Sequence, residues 1–179
     1  LYESGAFRRA AWDGIGTASV PPDVGSEHAR AVLDTVSVAA VAGNRFRVFL
    51  DANAGAGGPL GAELLTHLGC DLIQYGCEPT GRFEHEPEPI PAHLADVAPW
   101  VKRHECALGF VLDPDSDRLA LIDETGTCVS EEATLALAVK YRLRHRPGPV
   151  VTRKLGPAMA AGSSFHGATT SGLVDLCTV

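Results

Sequence analysis

Three short apolar runs stand out along the chain: Phe46-Arg47-Val48-Phe49-Leu50 ending at Asp51, Asp71-Leu72-Ile73-Gln74-Tyr75, and Ala107 to Leu112. Their length and their content of Val, Ile, Phe and Tyr predict strands. Between the first two, Leu60, Leu64, Leu65 and Leu68 recur at helical spacing, and Gly69 marks a stop. Upstream, Ser26 is a predicted cap for a helix from Glu27 to about Val36, with Ala29, Val32 and Leu33 on one face. Ala92 to His104 is helical in pattern through Leu94, Val97 and Val101, with a kink or restart expected at Pro99. Leu119 to Asp123 predicts a fourth, hairpin-like strand that ends at the turn Glu124-Thr125-Gly126. Ser130 then caps a predicted helix with Glu131 and Glu132 in its first turn and Leu135, Val139 and Leu143 on one face. Strands alternating with helices predict an α/β class fold: a layered α/β/α domain whose mixed, mostly parallel sheet of about four strands is covered by helices.

Composition narrows the function classes. At 179 residues, 45% hydrophobic and 21% charged, the chain has an ordinary globular balance. Its longest apolar runs, Val36 to Ala42 and Ala107 to Leu112, fall far short of the roughly 20 residues of a membrane span. Leu1-Tyr2-Glu3-Ser4 has no secretory pattern, and an opening without Met fits a fragment. The net charge of −7 argues against a nucleic-acid surface. The basic cluster Lys140, Arg142, Arg144, His145 and Arg146 reads as the solvated end of a helix. The five cysteines contain no Cys-x-x-Cys pair, and most are expected as small buried hydrophobes in a reducing cytoplasm.

The segment that carries chemistry is Asp113-Pro114-Asp115-Ser116-Asp117-Arg118, directly after the third strand. Three carboxylates at alternate positions repel unless a cation sits among them. Mg²⁺ takes six oxygens and keeps positions for water and phosphate, so Asp113, Asp115 and Asp117 leave room for a phosphoryl oxygen. Arg118 adds a planar fork suited to phosphate. A calcium loop is the rival reading, since Glu124 falls twelfth from Asp113. It fails on context, because Arg118 stands where that loop needs Gly and the flanks read as strands.

Other residues invite blander readings. Asn53-Ala54-Gly55-Ala56-Gly57-Gly58 could cradle phosphate, but without Gly-Lys-Ser/Thr it reads as a structural turn. His85 among Glu84, Glu86 and Glu88 could suggest a second metal site, and an exposed acidic loop is the preferred reading. His67, His93 and His104 sit in predicted helices without partners at metal spacing. Ser163, Ser164 and His166 lack the strand-turn-helix setting of a triad.

With the metal loop in place, the chain resembles the α-D-phosphohexomutases, the family of phosphoglucomutase, phosphomannomutase and phosphoglucosamine mutase. Asp113 to Arg118 resembles their Asp-x-Asp-x-Asp-Arg loop, Val48 to Gly57 the strand and glycine turn that open the second domain, and Gly81 to Pro89 their Gly-x-Phe-x-x-x-Pro-x-Pro loop. The resemblance runs from about Gly25 to Arg146, and the lead-in Phe7 and Trp12 to Gly16 is also family-like. It implies three parts: residues 1–24 as lead-in and linker from a first domain, 25–146 as the metal-binding second domain, and 147–179 as an incomplete, divergent or disordered start of a third. It also implies Asp113, Asp115 and Asp117 as Mg²⁺ ligands, Arg118 at the transferred phosphoryl group, and a hexose phosphate and the remaining mutase domains as partners. The implied reaction moves phosphate from a serine to a hexose phosphate and back through a bisphosphorylated sugar. The family's phosphoserine segment and sugar-specificity loop have no counterpart in this sequence. Thr17-Ala18-Ser19 leads into Val20-Pro21 and is rejected as the nucleophile. The chain alone is therefore expected to be inactive, with the sugar unread. The alternative is a non-catalytic module that binds Ca²⁺ or Mg²⁺.

Overall fold

Val48, Phe49 and Leu50 are all buried, so the strand they form is covered on both faces. In the computed structural model, which describes residues 3–7, 9–19, 24–129 and 131–148, this is β1 (Arg47–Asp51). It lies between β2 (Asp71–Tyr75) and β3 (Leu108–Leu112), parallel to both. β4 (Leu119–Asp123) folds back antiparallel on β3, and the two-residue β5 (Cys128–Val129) pairs antiparallel with β4. The order β2-β1-β3-β4-β5 gives five strands rather than about four; β5 is too short to leave a periodic signature.

Helices cover both faces, as the α/β/α layering requires. After the short α1 (Val24–Leu33) and α2 (Val38–Ala42), α3 (Gly58–His67) packs Leu65 on Val48 and Leu50. On the opposite face, Leu94, Val97 and α4 (Ala98–Arg103) cover Phe49, Val111 and Ile122. The final helix, α5 (Glu131–His145), buries Val139 and half-buries Leu135 and Leu143, the predicted stripe. The basic cluster closes this helix, with Arg142, Arg144 and His145 in its last turn.

Two local expectations are corrected. Ser26 lies inside α1, which starts at Val24, and its hydroxyl donates to Glu63 Oε1 on α3 at 2.9 Å instead of capping. The stretch expected to be helical from Ala92 is made of turns up to Val97, and the helix starts only at α4, with Pro99 in its first turn, where the sequence predicts a restart. Proline fits there because the first turn needs no amide donor, and the stretch before it is made of turns that still bury Leu94 and Val97. The linker at Val20 to Asp23, Ser130 as a cap, Cys177, and the expectations for 149–179, Ser163, Ser164 and His166 among them, lie outside the described residues. No helix among the described residues is long and apolar enough to cross a membrane.

Candidate metal centre

Topology decides where a ligand sits in such a sheet. From β1 the chain crosses through α3 to β2 on one side, then returns through α4 to β3 on the other. Connections that leave neighbouring strands in opposite directions open a crevice at the strands' carboxyl ends, where ligands of open α/β sheets bind. Asp51 ends β1 and Asp113 follows β3, so both buried aspartates reach this crevice.

The β3 loop folds around its own first carboxylate. Asp113 accepts the Arg118 amide at Oδ1 (3.0 Å) and Arg118 Nε at Oδ2 (2.8 Å). The Ser116 amide donates to the Asp113 carbonyl at 3.0 Å, and Ser116 takes a left-handed φ of 64°. That turn brings the exposed Asp115 and Asp117 alongside Asp113. One carboxylate oxygen from each of the three lies within 4.8 Å of the others, and no second group of this kind occurs among the described residues. Burial works against ionising Asp113, but the Arg118 amide and guanidinium, together with Asp117, outweigh it and hold the carboxyl below its ordinary value. Asp117 is pushed the other way, chiefly by its hydrogen-bond contact with Asp113 and then by slight desolvation and the charges of Asp113 and Asp115.

These residues fit a hard divalent cation. Two carboxyls pressed together so that one resists ionising is the condition a cation relieves. Neighbouring oxygens around Mg²⁺ stand about 3 Å apart for bonds near 2.1 Å, so a 4.8 Å spread is loose. Asp115 and Asp117 are exposed and can turn inward, while Asp113 is fixed. Arg118 is placed beside the cluster: Nε stands 3.8 Å from Asp117, and Nη1 reaches Glu88 at 3.3 Å. The calcium-loop rival fails in the structure as it does in sequence, since β3 and β4 flank the loop.

The glycine turn after β1 is a seat for this loop. Ala56 donates its amide to the Pro114 carbonyl at 2.8 Å, and a Cβ on Gly55 would stand 2.5 Å from Pro114 Cα. Only a residue without a side chain lets the two loops approach this closely. The structural reading of Asn53 to Gly58 therefore holds.

The reading of His85 as part of an exposed acidic loop is corrected. Glu84, Glu86 and Glu88 are exposed, but the His85 side chain is only 9% accessible. Its Nε2 lies 2.8 Å from Asp51 Oδ2 and its Nδ1 lies 2.8 Å from the Glu86 carbonyl. Asn53, fully buried, accepts the Glu84 and His85 amides at Oδ1 and donates Nδ2 to the His85 carbonyl at 3.0 Å. Asp51 Oδ1 in turn accepts the Asn53 amide at 2.8 Å. Both His85 nitrogens are thus engaged, which leaves none for a second metal. The signal in sequence is Asp51 itself, because a carboxylate that ends a fully buried strand needs donors. His67 is an exposed residue whose Nδ1 lies 2.9 Å from the Glu63 carbonyl, and His104 stacks on Trp100.

Residues 26–126 match the family model described as phosphoglucomutase/phosphomannomutase, alpha/beta/alpha domain II. The chain is 31% identical over 141 residues to a "Probable phosphoglucosamine mutase" of Methanothermobacter thermautotrophicus, covering 78% of this chain and 30% of that protein. It is 33% identical over 153 residues to a protein of the same description from Thermococcus gammatolerans, covering 85% and 33%. Among solved structures, a phosphoglucomutase/phosphomannomutase family protein of Burkholderia thailandensis aligns with a TM-score of 0.56 at 27% identity, over 73% of this chain and 28% of that one. A putative phosphomannomutase of Thermus thermophilus shares the fold with a TM-score of 0.65 at 21% identity, over 81% and 36%. The chain spans about a third of the length of the relatives it matches.

Proposed function

The chain belongs to the phosphoglucomutase/phosphomannomutase family, as its second, α/β/α domain, and from that premise we propose that it is the metal-binding piece of a Mg²⁺-dependent phosphohexomutase. The observation that carries this reading is the gathering of Asp113, Asp115, Asp117 and Arg118 in one loop at the crevice between the ends of β1 and β3. A divalent cation held there supplies neutralising charge to a phosphoryl group in transit. Asp113 is the fixed ligand, anchored by the Arg118 amide, and Asp115 and Asp117 are the mobile pair that closes on the ion. Arg118, directed by Asp113 and Glu88, meets the phosphoryl oxygens as a planar fork.

The whole enzyme, in this reading, interconverts hexose 1-phosphate and hexose 6-phosphate through a phosphoserine and a bisphosphorylated sugar. The serine and the sugar-binding loops come from its other domains. The relatives named as phosphoglucosamine mutases make a hexosamine phosphate the first substrate to assay.

Calorimetric titration with Mg²⁺ tests the assignment. The isolated chain is expected to bind weakly, because the phosphate that completes the shell is missing, and Asp115→Ala is expected to lose that binding. Submicromolar affinity would favour a stand-alone cation module instead. Equal binding by wild type and Asp115→Ala would remove the aspartates from the site.

A further inference from the structure

The residues around His85 are more than a fold contact, because the loop they hold ends against the metal centre. His85 faces two groups that can only accept, the Asp51 carboxylate and the Glu86 carbonyl, each at 2.8 Å. Both contacts are hydrogen bonds only when both ring nitrogens carry a proton. Three residues further on, Glu88 Oε1 meets Arg118 Nη1 at 3.3 Å. We infer that His85 is a positioning residue: held between Asp51 and the Glu86 carbonyl, it pins the 81–89 loop to the end of β1 and so delivers Glu88 to Arg118. Asn53 adds three hydrogen bonds to the same loop, so the pin acts on a segment already registered against β1. The inference takes its catalytic meaning from the mutase reading, yet its test reads only the loop and the arginine.

Loss of one ring proton leaves a nitrogen lone pair facing an acceptor, so the pin should release as pH rises. Burial opposes the charge, while Asp51, the Glu86 carbonyl and Glu84 favour it and leave the net value above the ordinary one. The other titratable groups near Asp51 are Tyr75 at the end of β2 and Cys77 just beyond it. Both are raised, by burial first, and so stay neutral over the range that matters. Around Arg118 stand the carboxyls of Asp113, Asp117 and Glu88, and His93 Nδ1 lies 2.9 Å from the Glu88 carbonyl.

The experiment is a pH titration of the metal-free chain, from about pH 6 to 9, followed by NMR at the His85 ring and at Arg118 Nε–H, the latter identified by its loss in Arg118→Lys. The expected result is one step at Arg118 with the midpoint of the His85 ring, above the free-histidine value of about 6.5. In Glu88→Gln the His85 step persists and the Arg118 step disappears. In His85→Gln the Arg118 step disappears as well. An Arg118 signal that stays still while His85 titrates, or a step unchanged in His85→Gln, would overturn the inference. Should His85→Gln not fold, His93→Gln and Glu88→Gln decide together: the Arg118 step must survive the first and vanish in the second. Failure here leaves the Mg²⁺ titration untouched, so the two readings fall separately.

Discussion

β1 and β3 are neighbouring strands that both run out into a buried aspartate, yet the two carboxylates have opposite surroundings. Asp51 meets only donors: the Asn53 amide and the His85 ring. Asp113 meets Arg118, but it also stands against Asp117 and near Asp115. One strand end is closed within the fold. The other keeps negative charge in excess of its internal donors. Under the proposed reading the difference separates the end that stabilises the sheet from the end that would gain affinity, because charge crowding costs folding energy that a bound cation would return.

Breaking the closed end should have the largest effect. Asp51→Ala leaves a buried imidazole and a buried amide without their acceptor and should cost about 3 kcal/mol, read as a lower urea midpoint at unchanged slope. Next comes the seat between the two ends. Gly55→Ala forces a Cβ into the Pro114 backbone, should cost about 1–3 kcal/mol, and should weaken Mg²⁺ binding in calorimetry by displacing the loop. A Gly55→Ala chain that folds and binds as wild type does would show that the two loops are independent.

The pH dependence sharpens the contrast through its sign. The His85 value is raised on folding, so its stabilisation is fully present below about pH 6.5 and is lost as pH rises through the folded value. Unfolding free energy of wild type minus that of His85→Gln should therefore fall between pH 6 and 9. Asp113 is lowered on folding, so its contribution is present above its ordinary range and lost as pH falls through the folded value. A wild-type minus His85→Gln difference that grows on the alkaline side would contradict the donor–acceptor assignment. The smallest effect belongs to the open end. Asp115→Ala removes an exposed charge and should leave stability within about 0.5 kcal/mol while abolishing Mg²⁺ binding.

The same contrast explains what the sequence made legible. The metal loop is local: three aspartates and an arginine lie within six consecutive positions after an apolar strand, so spacing alone nominates them. β2 and β4 start and end where their apolar runs do, and α3 follows its leucines up to Leu68 and Gly69. The closed end joins residues 34 apart, and nothing in the spacing of Asp51 and His85 announces their contact. It depends on the 81–89 loop folding back on β1, which is set by Asn53 at a left-handed φ of 47° and its three side-chain bonds to the loop. The Ser26 cap and the helix expected over 92–97 went astray for a related reason, while the restart expected at Pro99 is present. Tertiary contacts, to Glu63 in one case and to the sheet in the other, overrode local capping and periodicity.

The proposed site is one loop at the end of β3 that would hold a divalent cation. Crystals of the chain soaked in Mn²⁺, a redox-quiet stand-in for Mg²⁺ that scatters anomalously, test this most directly. The expected result is a single anomalous peak bonded, at roughly the 2.1 Å of a magnesium–oxygen contact, to one oxygen each of Asp113, Asp115 and Asp117, with Arg118 at its edge. A loop without the peak, or a peak at the Asp51–His85 end instead, would contradict it.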